Sequence, residues 1–186
     1  MKNYVLAILF FACVLMLSSC GKRETDSKEI AEDLNEKKFD SLSIEKDTEF
    51  AVDIADGSML EIKLGELAQT QGSSAKVKEL GRLMVEEQTK VNEELRSLAG
   101  RKNISLPLTM SEKSQKKYND LAEKTGADFD KAFAKAMVKR HRDVIALFQR
   151  EAETGSDNEL RGWASGKLPE LQHNLSMAEQ TEDEVD

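Results

Sequence analysis

The chain has little cysteine, proline or aromatic side chain. Only 2 Cys and 2 Pro occur in 186 residues, and Phe, Trp and Tyr together make up 5%. A many-turned β fold draws on the residue types missing here, so the composition favours long helices. No run alternates apolar and polar with period two, and no strand is expected. The formal charge is −8 and no segment forms a basic block. That excludes nucleic acid as a partner, because phosphate backbones call for a basic footprint. The chain also lacks a Gly-rich phosphate loop, zinc-type cysteine spacing and an ordered Ser, His and Asp set. With no nucleophile–base pair, a hydrolase or transferase is not expected, and the chain reads as a non-enzyme.

What is present begins with an address. Met1, Lys2 and Asn3 give a short basic start, and Tyr4 to Leu17 form an apolar run of 14 residues. A bilayer span takes about 20 residues, so this run has the length of a signal peptide instead. It ends in Leu17-Ser18-Ser19-Cys20-Gly21, which resembles a bacterial lipobox. Residues 1–19 are therefore expected to be removed as a lipoprotein signal peptide, leaving Cys20 as the lipidated N-terminus. Cys13 leaves with the peptide, so the mature chain has no cysteine pair for a disulfide. Palmitate-type acyl chains contribute about 0.8 kcal/mol per buried methylene, and more than one chain makes anchoring stable. Gly21, where an aspartate would favour inner-membrane retention, points to the outer membrane with the domain facing the periplasm. The membrane, reached through Cys20, is the partner the sequence implies.

Residues 20–46 are polar and read as a tether, with one weak helix around Lys28 to Lys38. As flexible coil, the 26 residues after Cys20 would span roughly 28 Å. A helical domain is expected over 47–180. Glu179 to Asp186 carries five acids and no base, and 181–186 is expected to fray as an acidic tail.

Within the domain the apolar residues keep helical period. A first long helix starts near Asp47 as N-cap and carries Phe50, Ile54, Gly57, Glu61, Leu64 and Ala68 at spacings of three and four. Gly72, Ser73 and Ser74 close it. A second carries Val77, Leu80, Met84, Gln88, Val91, Leu95 and Leu98 and stops by Gly100. Pro107 and Ser111 frame a loop and a short helix with Tyr118 and Leu121, closed by Gly126. A third long helix, Asp128 to Thr154, carries Phe129, Phe133, Met137, His141, Val144 and Phe148, with Gly155 as its stop. Ser156 and Glu159 suggest a capping box for a fourth, with Leu160, Ala164, Leu168, Leu171, Leu175 and Ala178. Pro169 predicts a kink or break near Gly166. The sum is an all-α fold: an antiparallel four-helix bundle with a short extra helix between its second and third long helices.

Three stripe positions are polar: Glu61, Gln88 and His141. A buried charge or imidazole is costly alone, so these should meet partners or water. The ordinary readings are a lysine partner for Glu61, a register-fixing amide at Gln88 and a hydrogen-bonded core histidine at His141. Glu170 and His173 show the Glu-x-x-His spacing of bundle di-iron sites. His173, however, lies about 160° round the helix from Leu175 and faces away from the stripe, while Asn174 lies nearer to it.

Between Glu49 and Gln180 the chain resembles the bacterial domain-of-unknown-function 4142 proteins. The likeness rests on Phe50-Ala51 through Gly57-Ser58-Met59-Leu60-Glu61-Ile62-Lys63-Leu64-Gly65-Glu66-Leu67-Ala68, and on Val77 through Val85. It continues in Phe129-Asp130, Met137 through His141 to Phe148, and Leu168-Pro169-Glu170-Leu171. The resemblance implies a ferritin-like helical bundle at the outer membrane. It also implies an Asp-His pair on the second long helix, a histidine on the third and a histidine on the fourth. Here these positions read Glu87-Gln88, His141 and Asn174, so only His141 is kept, and Glu61 is present on the first. Gln88 and Asn174 thus mark a degenerate site. The leading expectation is a lipid-anchored bundle with a binding or structural role and no cofactor. The alternative is a metal-binding or redox domain holding a divalent transition metal on Glu61, Glu87, His141, Glu170 and His173.

Overall fold

The structure is a computed structural model that describes residues 26–39 and 42–186. Residues 1–19, expected as a leader, and Cys20 lie outside the described residues. Six helices and no strand occur among the described residues: α1 (Ser27–Glu36), α2 (Leu42–Gln71), α3 (Ala75–Lys102), α4 (Glu112–Ala122), α5 (Gly126–Thr154) and α6 (Asn158–Val185). None is long and apolar enough to cross a membrane. The four long helices carry the stripes expected of them. α2 packs most closely on α3 and α5 on α6, with α2 also touching α5 and α3 touching α6. α1 and α4 lie against α2. At the α2–α3 crossing the backbones meet. A Cβ on Gly65 would stand 2.5 Å from the Gly81 carbonyl oxygen, and one on Gly81 would stand 2.7 Å from Ala68 Cβ.

Several boundaries differ from expectation, each for a local reason. The weak helix expected around Lys28 to Lys38 is present as α1, but the stretch read as a tether to Lys46 also holds the first turn of α2. Ten residues are too few for a stable isolated helix. α1 is held by contacts that no local pattern reveals: Ala31 and Asn35 are buried, and Asn35 exchanges hydrogen bonds with the Ser105 backbone at 2.9 and 2.6 Å. Asp47 is not an N-cap, since α2 begins at Leu42. α3 runs through Gly100 and ends at Asn103, whose φ of 57° supplies the left-handed cap. The cap of α6 is Asp157, accepting from the N–H groups of Glu159 and Leu160, not a box built on Ser156. α6 is also unbroken at Pro169. The carbonyl deprived of its helical donor belongs to Ser165, an exposed position where water can serve it. The acidic tail does not fray: α6 reaches Val185, Thr181 is buried, and Val185 packs against the core.

The interior has two apolar clusters. One gathers Phe50, Ile54, Leu95, Phe148, Leu160 and Leu171; the other gathers Leu64, Leu80, Met84, Phe129, Phe133 and Met137. On α3, α5 and α6 a buried polar residue separates them along the helix: Gln88 between Met84 and Val91, His141 between Val138 and Val144, Asn174 between Leu171 and Ala178. On α2 the same level is held by Gly57, Ser58 and Glu61.

Candidate functional site

Helical period turns Glu61, Gln88, His141 and Asn174 inward, and their place between the two apolar clusters puts them at one level. All four are buried, Glu61 to 2% exposure and His141 and Asn174 to 1%. Glu61, Gln88 and Asn174 line a cavity of about 10 Å³, together with Ser58 and Arg140. That is at the threshold of room for a single water.

The partner of Glu61 is Arg140 and not a lysine. Arg140 Nε donates to Glu61 Oε1 at 2.9 Å. The guanidinium reaches this position by crossing α2 at Gly57, where a Cβ would overlap it. Gly57 therefore stands in the stripe to make room for a cation. His141 Nδ1 lies 2.9 Å from the Met137 carbonyl oxygen. A carbonyl only accepts, so Nδ1 carries the proton in that bond. His141 Nε2 lies 3.9 Å from Glu61 Oε2. Asn174 donates through Nδ2 to Glu87 Oε2. Burial pushes the Glu87 carboxyl above the usual range, and the Asn174 bond pulls it back in part. Glu61 Oε2, His141 Nε2 and Asn174 Oδ1 have no hydrogen-bond partner. A bridging water is the natural occupant of such a gap.

The remaining candidates do not join this group closely. Glu170 lines the same cavity, but its carboxylate is engaged by Lys167 Nζ at 3.4 Å. Lys167 also donates to Glu94 at 3.0 Å. His173 is exposed on α6. Among the described residues no three or more His, Cys, Asp or Glu side chains gather to hold a metal ion.

The donor chemistry points the same way. Arg140 takes one oxygen of Glu61 and sets a fixed positive charge beside any cation that would bind there. Two of the four convergent positions are amides, which are poor ligands for transition metals. The residues present do not suit a resident transition metal.

Sequence reasoning missed three buried aspartates that tie loops to helices, because it looked for caps only next door in the chain. Asp47 accepts from Ser156 N and Asp157 N, the latter at 2.7 Å. Asp130 accepts from Ser73 N and Ser74 N, the latter at 2.8 Å. Asp56 accepts from Ser111 N at 2.6 Å and from the Ser114 hydroxyl at 2.6 Å, fixing the start of α4. A usable signal was present: Asp47-x-x-Phe50-Ala51 returns as Asp130-x-x-Phe133-Ala134. Also missed was Glu151, buried to 5% exposure with Oε1 unpartnered. Burial first, and the Asp47 carboxylate second, push its carboxyl up to about 7.

A family described as Domain of unknown function (DUF4142) matches residues 33–181 of the chain. No curated protein and no solved structure matches it.

Proposed function

The chain belongs to the DUF4142 family, and we propose that this member is a lipid-anchored, non-catalytic protein of the bacterial cell envelope. Cys20 carries the lipid, and the expected site is the periplasmic face of the outer membrane. The four long helices close into an antiparallel, ferritin-like bundle. The pairing of α2 with α3 and of α5 with α6, together with the contacts between the two pairs, supports that closure.

One observation carries the non-catalytic reading: the Arg140–Glu61 ion pair at 2.9 Å sits where ligands from four helices would converge. A guanidinium is always charged and has no lone pair to offer, so it replaces a ligand set with an internal counter-ion. What remains is a polar layer between two apolar clusters. Such a layer penalises any sliding of one helix against another, since a shift would bury its charges unpaired. The role is structural or binding, with the anchored bundle as scaffold.

The test uses full-length protein extracted from membranes. Its N-terminus should be an acylated Cys20, Cys20→Ala should leave an unprocessed precursor, and elemental analysis should find no stoichiometric iron, manganese or zinc. A tightly held metal that His141→Ala removes would overturn the non-catalytic reading and restore the metal-binding alternative. Adding the missing imidazoles with Gln88→His and Asn174→His is the converse: with Arg140 still on Glu61, zinc should raise the melting temperature little. Adding Arg140→Ala to that pair should make the rise large.

A further inference from the structure

Four large apolar side chains stand exposed among the described residues: Ile30, Leu34, Ile44 and Leu108, the last at 81%. Three belong to the N-terminal segment. The fourth sits in the loop that this segment holds. Ser27 Oγ accepts from Leu108 N at 2.9 Å and from Thr109 N at 3.2 Å, and Asp26 Oδ2 accepts from Glu112 N at 2.6 Å. Lys28 pairs with Asp53 of α2 at 2.8 Å. Ile30 lies about 160° round α1 from Lys28, and Leu34 follows one turn later. Both therefore stand on the side of α1 away from α2. Beside Leu108 opens a groove of about 960 Å³ whose apolar lining includes Met59, Ile62 and Met110.

The chain length outside this clamp decides what covers it. Asp26 is fixed to α4, and only residues 21–25 separate it from Cys20. Fully stretched, that link reaches roughly 20 Å. Helices of 28 to 30 residues are about 42–45 Å long. The acyl chains therefore enter the bilayer within about half a domain length of Asp26, which keeps this end of the domain near the surface.

Resting on the lipid anchor proposed above, we infer that α1 and the 104–109 loop form a membrane-facing surface, with Ile30, Leu34 and Leu108 dipping into the lipid interface. The occupant is the bilayer and not a second copy. α1 carries Glu29, Glu32, Asp33 and Glu36 against Lys28 alone, so two such faces repel. The same charge selects zwitterionic lipid over anionic lipid.

The experiment uses the lipidated full-length protein in vesicles of phosphatidylethanolamine and phosphatidylcholine. Acylation of Cys20 leaves the mature chain without a free thiol, so Ile30→Cys, Leu108→Cys and Gln172→Cys can each carry one fluorophore. Gln172 is exposed on α6, whose main partner is α5. A quencher on the lipid chains should dim the Ile30 and Leu108 labels at least about threefold more than the Gln172 label, as for side chains seated at the interface. Replacing a third of the lipid with phosphatidylglycerol should weaken that difference. Equal quenching at all three positions overturns the inference, with the anchor intact. Labels shielded from both lipid-borne and aqueous quenchers mean that a second copy covers the face, and that overturns it too. Protein that fails to float with the vesicles, or an N-terminus without acyl chains by mass, refutes the anchor itself and this inference with it.

Discussion

Asp47, Phe50 and Ala51 occupy α2 with the spacing that Asp130, Phe133 and Ala134 use on α5, and all six are buried. The connections match as well: Gly72-Ser73-Ser74 joins α2 to α3, and Gly155-Ser156-Asp157 joins α5 to α6. Each aspartate caps the other pair's connection. The two halves part company one turn before the glycine. In the first half Gly72 N donates to the carbonyl of Ala68, a methyl side chain inside the apolar cluster. In the second, Gly155 N donates to the carbonyl of Glu151, whose carboxyl fills the space a Cβ on Gly155 would need. One backbone device thus ends twice, once in a dry contact and once around two neighbouring acids. The device is a matter of hydrogen bonds, and the acid is an addition that costs stability at neutral pH.

Deleting the aspartates should separate the two ends most strongly. Asp130→Ala strips both Ser73 and Ser74 of a charged acceptor and should cost about 3 kcal/mol. Asp47→Ala removes an equivalent set but also relieves Glu151 of a like charge, so it should cost about 2 kcal/mol or less. Urea titrations at pH 7 read both, and equal losses would mean that the two acids do not interact.

Next in size is the pH dependence that only the second end has. The Glu151 carboxyl stands at about 7 against an ordinary 4.5, so the folded chain binds this proton more tightly than the unfolded one. Stability from this group is therefore fully present below pH 4.5, is lost as pH rises to about 7, and is flat above. Glu151→Gln should stabilise the protein by roughly 2 kcal/mol at pH 8 and hardly at pH 4. A thermal melt at the two pH values gives the answer. An unchanged difference from wild type at both would show Glu151 to be an ordinary solvated acid.

The smallest contrast lies at the helix starts. Among the described residues Ser74 Oγ accepts from Lys76 N alone, at 3.1 Å. Asp157 accepts from two N–H groups and pairs with Lys102 at 2.7 Å. Ser74→Ala should cost about 0.5 kcal/mol and Asp157→Ala about 1 to 1.5. Melting of the two variants under one condition ranks them.

Much of this was legible because apolar period is a direct imprint of burial. The stripes placed the four long helices and put Glu61, Gln88 and His141 on their buried faces, while Asn174 stood only near the last stripe and was singled out by the family resemblance. Other features escaped because their causes are remote in sequence. Arg140 sits beside His141 and off the stripe, and only the empty volume over Gly57 shows where its side chain goes. Asp47 looked like a local cap, yet its carboxylate serves N–H groups more than a hundred residues away. α1 showed in the sequence only as a weak helix, and what holds it, the clamp of Asn35, Ser27 and Asp26 on a distant loop and the start of α4, is remote in the chain.

The crossed aspartate caps have a consequence for how the chain acquires its shape. Asp47 and Ser156 are 109 residues apart, and Asp130 and Ser73 are 57 apart. During synthesis the α2–α3 connection is made first, and its two N–H groups wait for a carboxylate that α5 supplies later. Neither half can act as an independent foldon, because each borrows the acid that finishes it. Loss of one half should therefore melt the other, and equilibrium unfolding should be a single cooperative transition in which backbone amides of Ser74 and Asp157 exchange with solvent at the same rate-limiting opening.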